Sequence, residues 1–209
     1  MKHKFDLENW NRKEHFHFFR QMEDPFFGVT VAIDCTHAYQ KAKAKQCSFF
    51  VYYLHQTLLA ANAIENFRYR IDKEEILVYD QIDGSATISR PDGTFGFSGI
   101  AFHPDFSVFE KNALTEIERI QNTTGLFTRS FETDNLIHFS AIPWLDFTAL
   151  SHARSTTFPD SCPKISFGKM VTAADGGKRM NVSIHVHHAL MDGSHVGQFV
   201  NYFQELMNA

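Results

Sequence analysis

Cysteine is scarce in this 209-residue chain, with only Cys35, Cys47 and Cys162, at unrelated spacings. An odd number at irregular intervals gives no basis for a disulfide framework and reads as free thiols in a reducing compartment, so the expected location is cytoplasmic. Long apolar runs are missing as well. No stretch approaches the roughly 20 residues that a membrane-spanning helix requires, and no signal peptide is expected before Phe5, so no membrane partner is expected. Neither sign of charge dominates: 20 Lys and Arg against 24 Asp and Glu leave a net charge of -4, with a pI near 6.3. That balance gives no reason to expect nucleic acid or an anionic membrane surface as partner. The short cluster Lys41, Lys43 and Lys45 reads as a solvated face that could assist a phosphorylated cofactor. Internal repeats and linker-like segments are absent, and residues 1–209 are expected to form one domain.

What is abundant is apolar and aromatic. Hydrophobic residues make up 44% of the chain and phenylalanine alone contributes 22, enough for a substantial core or a subunit contact built from rings. Asn9 to Met22 reads as a helix opened by Asp6 or Asn9 and closed before Pro25. Phe27, Val29, Val31 and Ile33 alternate as a strand, followed by helical stretches at Thr36 to Lys45 and Ser48 to Ala61. Strands are expected at Glu75 to Ile82, Ala86 to Arg90 and Thr94 to Phe102, separated by turns at Asp83-Gly84 and Pro91-Asp92-Gly93. Phe109, Leu114, Ile117 and Ile120 mark a helix, and Leu136 to Trp144 a strand ending near Pro143. Asp146 to Ser161 is irregular and polar, a candidate loop over a site. Ile165 to Ala173 and Met180 to His188 form a strand pair around Asp175-Gly176-Gly177, and Val196 to Met207 closes the chain at helical spacing. Strands and helices mixed without regular alternation predict an α+β fold, an open two-layer α/β sandwich with a mixed sheet.

The run His187-His188-Ala189-Leu190-Met191-Asp192-Gly193 carries the chemistry. Histidine is the side chain whose unperturbed pKa lets it take and return a proton near neutral pH, provided a second group fixes its ring. Asp192 is the candidate for that outer role. Strand parity puts Val182, Ile184, Val186 and His188 on the apolar face, where partial desolvation favours a neutral base, and sends His185 and His187 the other way. Taken alone, a histidine there is more often a hydrogen-bonded core residue than a catalyst. A metal site from His185, His187, His188 and Asp192 fits poorly, because alternation separates the ligands and no cysteine pair or second histidine cluster completes the set, so no metal is expected.

Four blocks together closely resemble the chloramphenicol acetyltransferase family and, through His-x-x-x-Asp-Gly, more distantly the dihydrolipoyl acyltransferase cores. They are Phe5-Asp6-Leu7-Glu8-Asn9-Trp10-Asn11-Arg12-Lys13-Glu14-His15-Phe16, Phe139-Ser140-Ala141-Ile142-Pro143-Trp144, Ile165-Ser166-Phe167-Gly168-Lys169, and His187 to Val196. They span nearly the whole chain in the family's order. The resemblance implies a fold of the CoA-dependent acyltransferase type and a homotrimer with active sites at subunit interfaces. Acetyl-CoA is the implied cosubstrate and a small-molecule hydroxyl the acceptor. His188 would remove the acceptor's proton so that its oxygen attacks the thioester directly in a ternary complex. Ser140 matches the serine that hydrogen-bonds the tetrahedral oxyanion. Ser166 takes the place of a threonine that holds water near the transition state. Arg12 and Asp192 match an orienting ion pair. Trp144 and Lys169 match positions near coenzyme A.

The acceptor side departs from the family pattern. The implied acceptor pocket comprises Phe19, Phe95, Leu150, His152 and Lys164. In the family the segment corresponding to Leu150 to Lys164 supplies mostly apolar and aromatic groups, whereas here it contains His152, Arg154, Asp160 and Lys164. An aromatic hydroxyl expected near Phe19 is absent, and Glu23 and Pro25 fall where the family has smaller or apolar residues. A pocket with unpaired charges would bind an uncharged, dichloroacetyl-bearing drug poorly. The leading expectation is acetyl transfer to a hydroxyl of chloramphenicol, by a resistance enzyme or a relative. The alternatives are the same chemistry on a more polar hydroxyl, and a trimeric binding protein that sequesters a hydrophobic ligand without chemistry.

Overall fold

The computed structural model describes residues 1–130, 134–155, 157 and 160–209. The chain opens with a short strand β1 (Lys2–Lys4), helix α1 (Lys13–Phe19), a long strand β2 (Phe26–Asp34) and helices α2 (Thr36–Ala44) and α3 (Phe49–Ala63). A 3-10 turn at Glu65–Arg68 leads into β3 (Tyr69–Asp72), β4 (Glu75–Tyr79), β5 (Asp83–Ser89) and β6 (Phe95–Phe97). Helix α4 (Phe106–Gln121), strands β7 (Leu136–Ala141), β8 (Lys164–Thr172) and β9 (Lys178–His187), and helix α5 (Gly193–Asn208) complete it.

Six strands form the main sheet in the order β2-β9-β8-β7-β5-β6, and β1-β4-β3 form a small antiparallel sheet. The main sheet is mixed, as expected: β5 with β7 and β7 with β8 run parallel, and the other pairs antiparallel. Strand alternation sorts its two faces. Val182, Ile184 and Val186 of β9, Ile165 and Phe167 of β8 and Ile137 and Phe139 of β7 are buried with α3, α4 and α5 in one apolar core. Their neighbours Ser183, His185, Ser166, Lys164, His138 and Ser140 point to the opposite face, on which no helix packs among the described residues.

A second, smaller core gathers Phe16, Tyr69, Ile76 and Val78 with Ala189 and Leu190, so the small sheet and α1 pack onto the turn that follows β9. This is what fixes the His187–Gly193 run. Asn66 Nδ2 donates to the Leu190 carbonyl at 2.9 Å, and the His188 N–H donates to the Pro25 carbonyl at 2.7 Å.

Three expectations are corrected. Helix α1 begins at Lys13, not near Asn9, because Asp6 spends its carboxylate on the Asn9 backbone and side chain in a separate turn, and Arg12 at the N-cap supplies no side-chain cap. Asp83-Gly84 is not a turn but the start of β5, paired in parallel with Leu136 and Ile137. A Cβ on Gly84 would meet the Phe139 ring at 3.3 Å, so close sheet packing rather than chain reversal explains the glycine. Strands β1 and β3 were not foreseen, being three and four residues long, too short for a period to register.

Candidate active site

His188 leaves the sheet one residue beyond the end of β9. Its imidazole lies flat on Phe19, with ring centroids 3.8 Å apart and planes 14° from parallel, and Phe27 covers a second side at 4.6 Å and 49°. Phe19 comes from the last turn of α1 and Phe27 from the start of β2, so two distant segments clamp one ring. The His188 Nδ1 sits 3.3 Å from the Met191 carbonyl. A carbonyl only accepts, so this contact assigns the proton to Nδ1 and leaves the lone pair on Nε2. The side chain is half-buried. The fixed tautomer and the partial exposure are those a general base requires.

Asp192 does not perform the role expected of it. No contact links its carboxylate to the His188 ring; it forms an ion pair with Arg12, caps α5 by accepting from Ser194 N at 3.0 Å, and lies 2.9 Å from His195 Nδ1. The orienting group for His188 is the Met191 carbonyl. Arg12 does reach the His188 carbonyl, at 3.5 Å, so the pair braces the backbone of the segment and not the ring. Burial raises the Asp192 carboxyl, but hydrogen bonds from Ser194 and the Arg12 guanidinium outweigh it and hold the group well below the usual carboxylate range.

The second sheet face carries a polar set. Ser140 stands opposite Ser166 and Ser166 opposite Ser183, while His138, Lys164 and His185 form the next row. His152, from the irregular loop, places Nε2 3.4 Å from Ser166 Oγ, and its ring stands edge-on to His185 at 4.9 Å. His185 in turn sits 3.3 Å from Ser183 Oγ and hydrogen-bonds the Leu150 backbone. Gly28 makes room for it: a Cβ there would lie 2.4 Å from the His185 ring. Burial pushes His138, His152 and His187 down to about 4, and lowers His185 as well. The expectation of unpaired charge here is corrected: Lys164 is ion-paired with Asp160, and Arg154 Nε lies 3.6 Å from an Asp24 oxygen with its guanidinium over the Phe26 ring. Loop positions 156, 158 and 159 lie outside the described residues.

Within one chain these parts do not converge on His188. Ser140 and Ser183 are two strand spacings apart, and Ser183 precedes His188 by five residues along β9, so Ser140 and His188 stand about 20 Å apart. Phe95, 45% exposed, belongs to β6 at the opposite edge of the sheet from β2, edge-on to Phe97.

Against known proteins, the family model described as chloramphenicol acetyltransferase matches residues 2–204. The chain belongs to the chloramphenicol acetyltransferase family. Chloramphenicol acetyltransferase 3 of Escherichia coli is 30% identical over 207 residues, covering 99% of this chain and 97% of that protein. A chloramphenicol acetyltransferase of Bacillus pumilus is 28% identical over 201 residues, covering 96% and 91%. A solved chloramphenicol acetyltransferase superposes with a TM-score of 0.91 at 33% identity, over 99% of this chain and 100% of that one. A probable dihydrolipoamide acetyltransferase from Listeria monocytogenes shares the fold, with a TM-score of 0.68 at 13% identity over 93% and 88% of the two chains. Family membership makes the chain an acyltransferase.

Two further positions, expected near coenzyme A, lie on adjoining segments. Trp144 is 72% exposed, and Lys169, also exposed, donates its N–H to the Leu145 carbonyl at 2.8 Å. Gly168 permits this approach, because a Cβ would stand 3.1 Å from the Leu145 oxygen and 3.2 Å from the Asn181 oxygen. Sequence reasoning missed the Met191 carbonyl, for which no side-chain signal exists, and the part played by Phe27, whose alternation placed it in a strand without revealing its neighbour. It also left His138 and His185 without a role, although parity along β7 and β9 places them on one face with Ser140 and Ser183.

Proposed function

We propose that this 209-residue single-domain protein transfers the acetyl group of acetyl-CoA to a hydroxyl, with chloramphenicol as the acceptor its relatives' names supply. The observation that carries the reading is the His188 ring, clamped between two phenylalanines with Nδ1–H committed to the Met191 carbonyl and Nε2 left free. Acetyl-CoA supplies an activated thioester. Nε2 of His188 takes the acceptor's hydroxyl proton as the oxygen attacks the thioester carbonyl, and returns that proton to the departing thiolate. Ser140 donates a hydrogen bond to the oxyanion, a stabilisation of about 3 kcal/mol in comparable sites, and Ser166 holds water beside it. Arg12 and Asp192 keep the segment in place.

The exposed Trp144 ring and the exposed Lys169 ammonium suit a long, phosphate-bearing cosubstrate. The distance between Ser140 and His188 in one chain supports the implied homotrimer, in which each site takes its base from one copy and its oxyanion donor from the next. A second reading keeps the donor and exchanges the acceptor for a more polar alcohol, favoured by His152, Arg154, Asp160 and Lys164 on the second sheet face.

The test is thiol release from acetyl-CoA by the purified protein, with chloramphenicol and with a panel of polar alcohols, and with the product identified by mass. Acetylated product with either is expected. No thiol release with any acceptor, while ligands bind, would overturn the enzymatic reading in favour of a binding protein.

A further inference from the structure

The second face of the main sheet holds a continuous set of hydrogen-bonding side chains: Ser183, His185, His152 and Ser166, with Ser140 directly across from Ser166. Its fixed charges are matched internally, Lys164 with Asp160 and Arg154 with Asp24. Beyond this set, on the far side of Phe26, a separate cavity of about 710 Å³ is lined in part by Arg154, Asp160, Ser161 and His187. His187 is 5% exposed, and the Ala189 N–H donates to its Nδ1 at 3.2 Å, so the neutral ring keeps a proton on Nε2 as a further donor.

Resting on the acetyl-transfer reading, and on Ser140 as the oxyanion donor, we propose that this face walls the acceptor site and selects a neutral alcohol carrying further hydroxyl groups over chloramphenicol. A molecule reacting beside Ser140 lies next to His152, one residue position away across the strand pair. An apolar nitrophenyl or dichloroacetyl group laid on this wall would strip water from the half-buried Ser140, His152 and His185, above the buried Ser166 and Ser183, and return no hydrogen bond, which costs free energy for each group left unmet. A polyhydroxylated acceptor replaces that water. An ionic acceptor finds no free counter-charge among the described residues of the wall, because the ion pairs are closed. Burial also keeps the histidines uncharged near neutrality. His152 is thereby the specificity-determining residue, and chloramphenicol a slow substrate.

The experiment compares kcat/KM for chloramphenicol, for uncharged polyhydroxylated alcohols such as methyl glycosides and nucleosides, and for the phosphate monoesters of the same alcohols, in wild type and in His152→Leu. The expected order places a neutral polyol about tenfold or more above both chloramphenicol and its own phosphate ester. His152→Leu is expected to move the polyol-to-chloramphenicol ratio about tenfold toward chloramphenicol. Ratios taken within one preparation cancel differences in folded fraction, and the wild-type order alone tests the proposal if the variant does not fold. Chloramphenicol preferred by wild type over every neutral polyol, or a ratio unmoved in His152→Leu, overturns it and leaves acetyl transfer standing. Absence of thiol release with every acceptor removes the acetyl-transfer reading and this inference together.

Discussion

The imidazole of His188 lies flat against the ring of Phe19, 3.8 Å between centroids and 14° from parallel. One residue from α1 thus sets the plane in which the proposed base works, while the Met191 carbonyl sets its tautomer. Phe19 is expected from the sequence as a wall of the acceptor pocket; its position makes it first a support for the His188 ring.

Removing that support is expected to cost activity more than stability. Phe19 is only half-buried, so Phe19→Ala should lose about 2 kcal/mol of folding free energy. Its kcat should fall roughly tenfold or more, as a misaligned base predicts. Thermal unfolding and steady-state kinetics on one preparation separate the two effects; a kcat equal to that of wild type would show that the stack does not orient the base.

Asp192 has two jobs, capping α5 and pairing with Arg12, and two substitutions divide them. Asparagine caps helices about as well as aspartate but carries no charge, whereas alanine does neither. Asp192→Asn is expected to cost about 2 kcal/mol through the broken, partly buried pair, and Asp192→Ala about 1 kcal/mol more. Urea unfolding measures both; equal losses would mean that the cap contributes nothing.

Stability should fall with acid in two stages. His187 titrates near 6.5 when unfolded and about 4 when folded, so the folded state resists its protonation. That stability is complete above pH 6.5 and is lost as pH falls toward 4, about 3 kcal/mol for this buried ring alone. His138 and His152 shift in the same direction. Asp192, depressed below the usual carboxylate range, adds a loss that starts only below about pH 4. Urea midpoints measured from pH 7.5 down to about 2.5 should fall first between about 6.5 and 4 and again below about 4, and a His187→Phe variant should show a shallower slope in the first stage.

Gly168 connects a backbone contact to the proposed donor site. In Gly168→Ala the new methyl meets two carbonyl oxygens at 3.1 and 3.2 Å, so the Leu145 segment must move and carry Trp144 with it. The KM for acetyl-CoA is expected to rise severalfold with a smaller change in kcat, and Trp144→Ala should raise it by about tenfold. An acetyl-CoA KM untouched by either change would place the donor elsewhere.

Much of this was legible in residue order because period and parity are local. The alternation from Val182 to Val186 marked β9 and separated His185 and His187 from the core, and the 3.6-residue spacing after Gly193 marked α5. What stayed hidden is long-range or carried by the backbone. The Phe19 and Phe27 clamp joins segments more than 150 residues from His188, and the Met191 carbonyl has no side-chain signature. Asp192 looked like a ring partner because it is close in sequence, yet as the N-cap of α5 it turns its carboxylate to Arg12 and the helix. His152 sits in an irregular loop where no period constrains facing, so only the fold places it on Ser166.

The most direct measurement is the turnover of His188→Ala, monitored as thiol release with the acceptor that wild type uses best. With Nε2 gone, the rate should drop by a factor of roughly 10² to 10⁴ or more, while acetyl-CoA still binds. Turnover at the wild-type rate would contradict the assignment of His188 as the base.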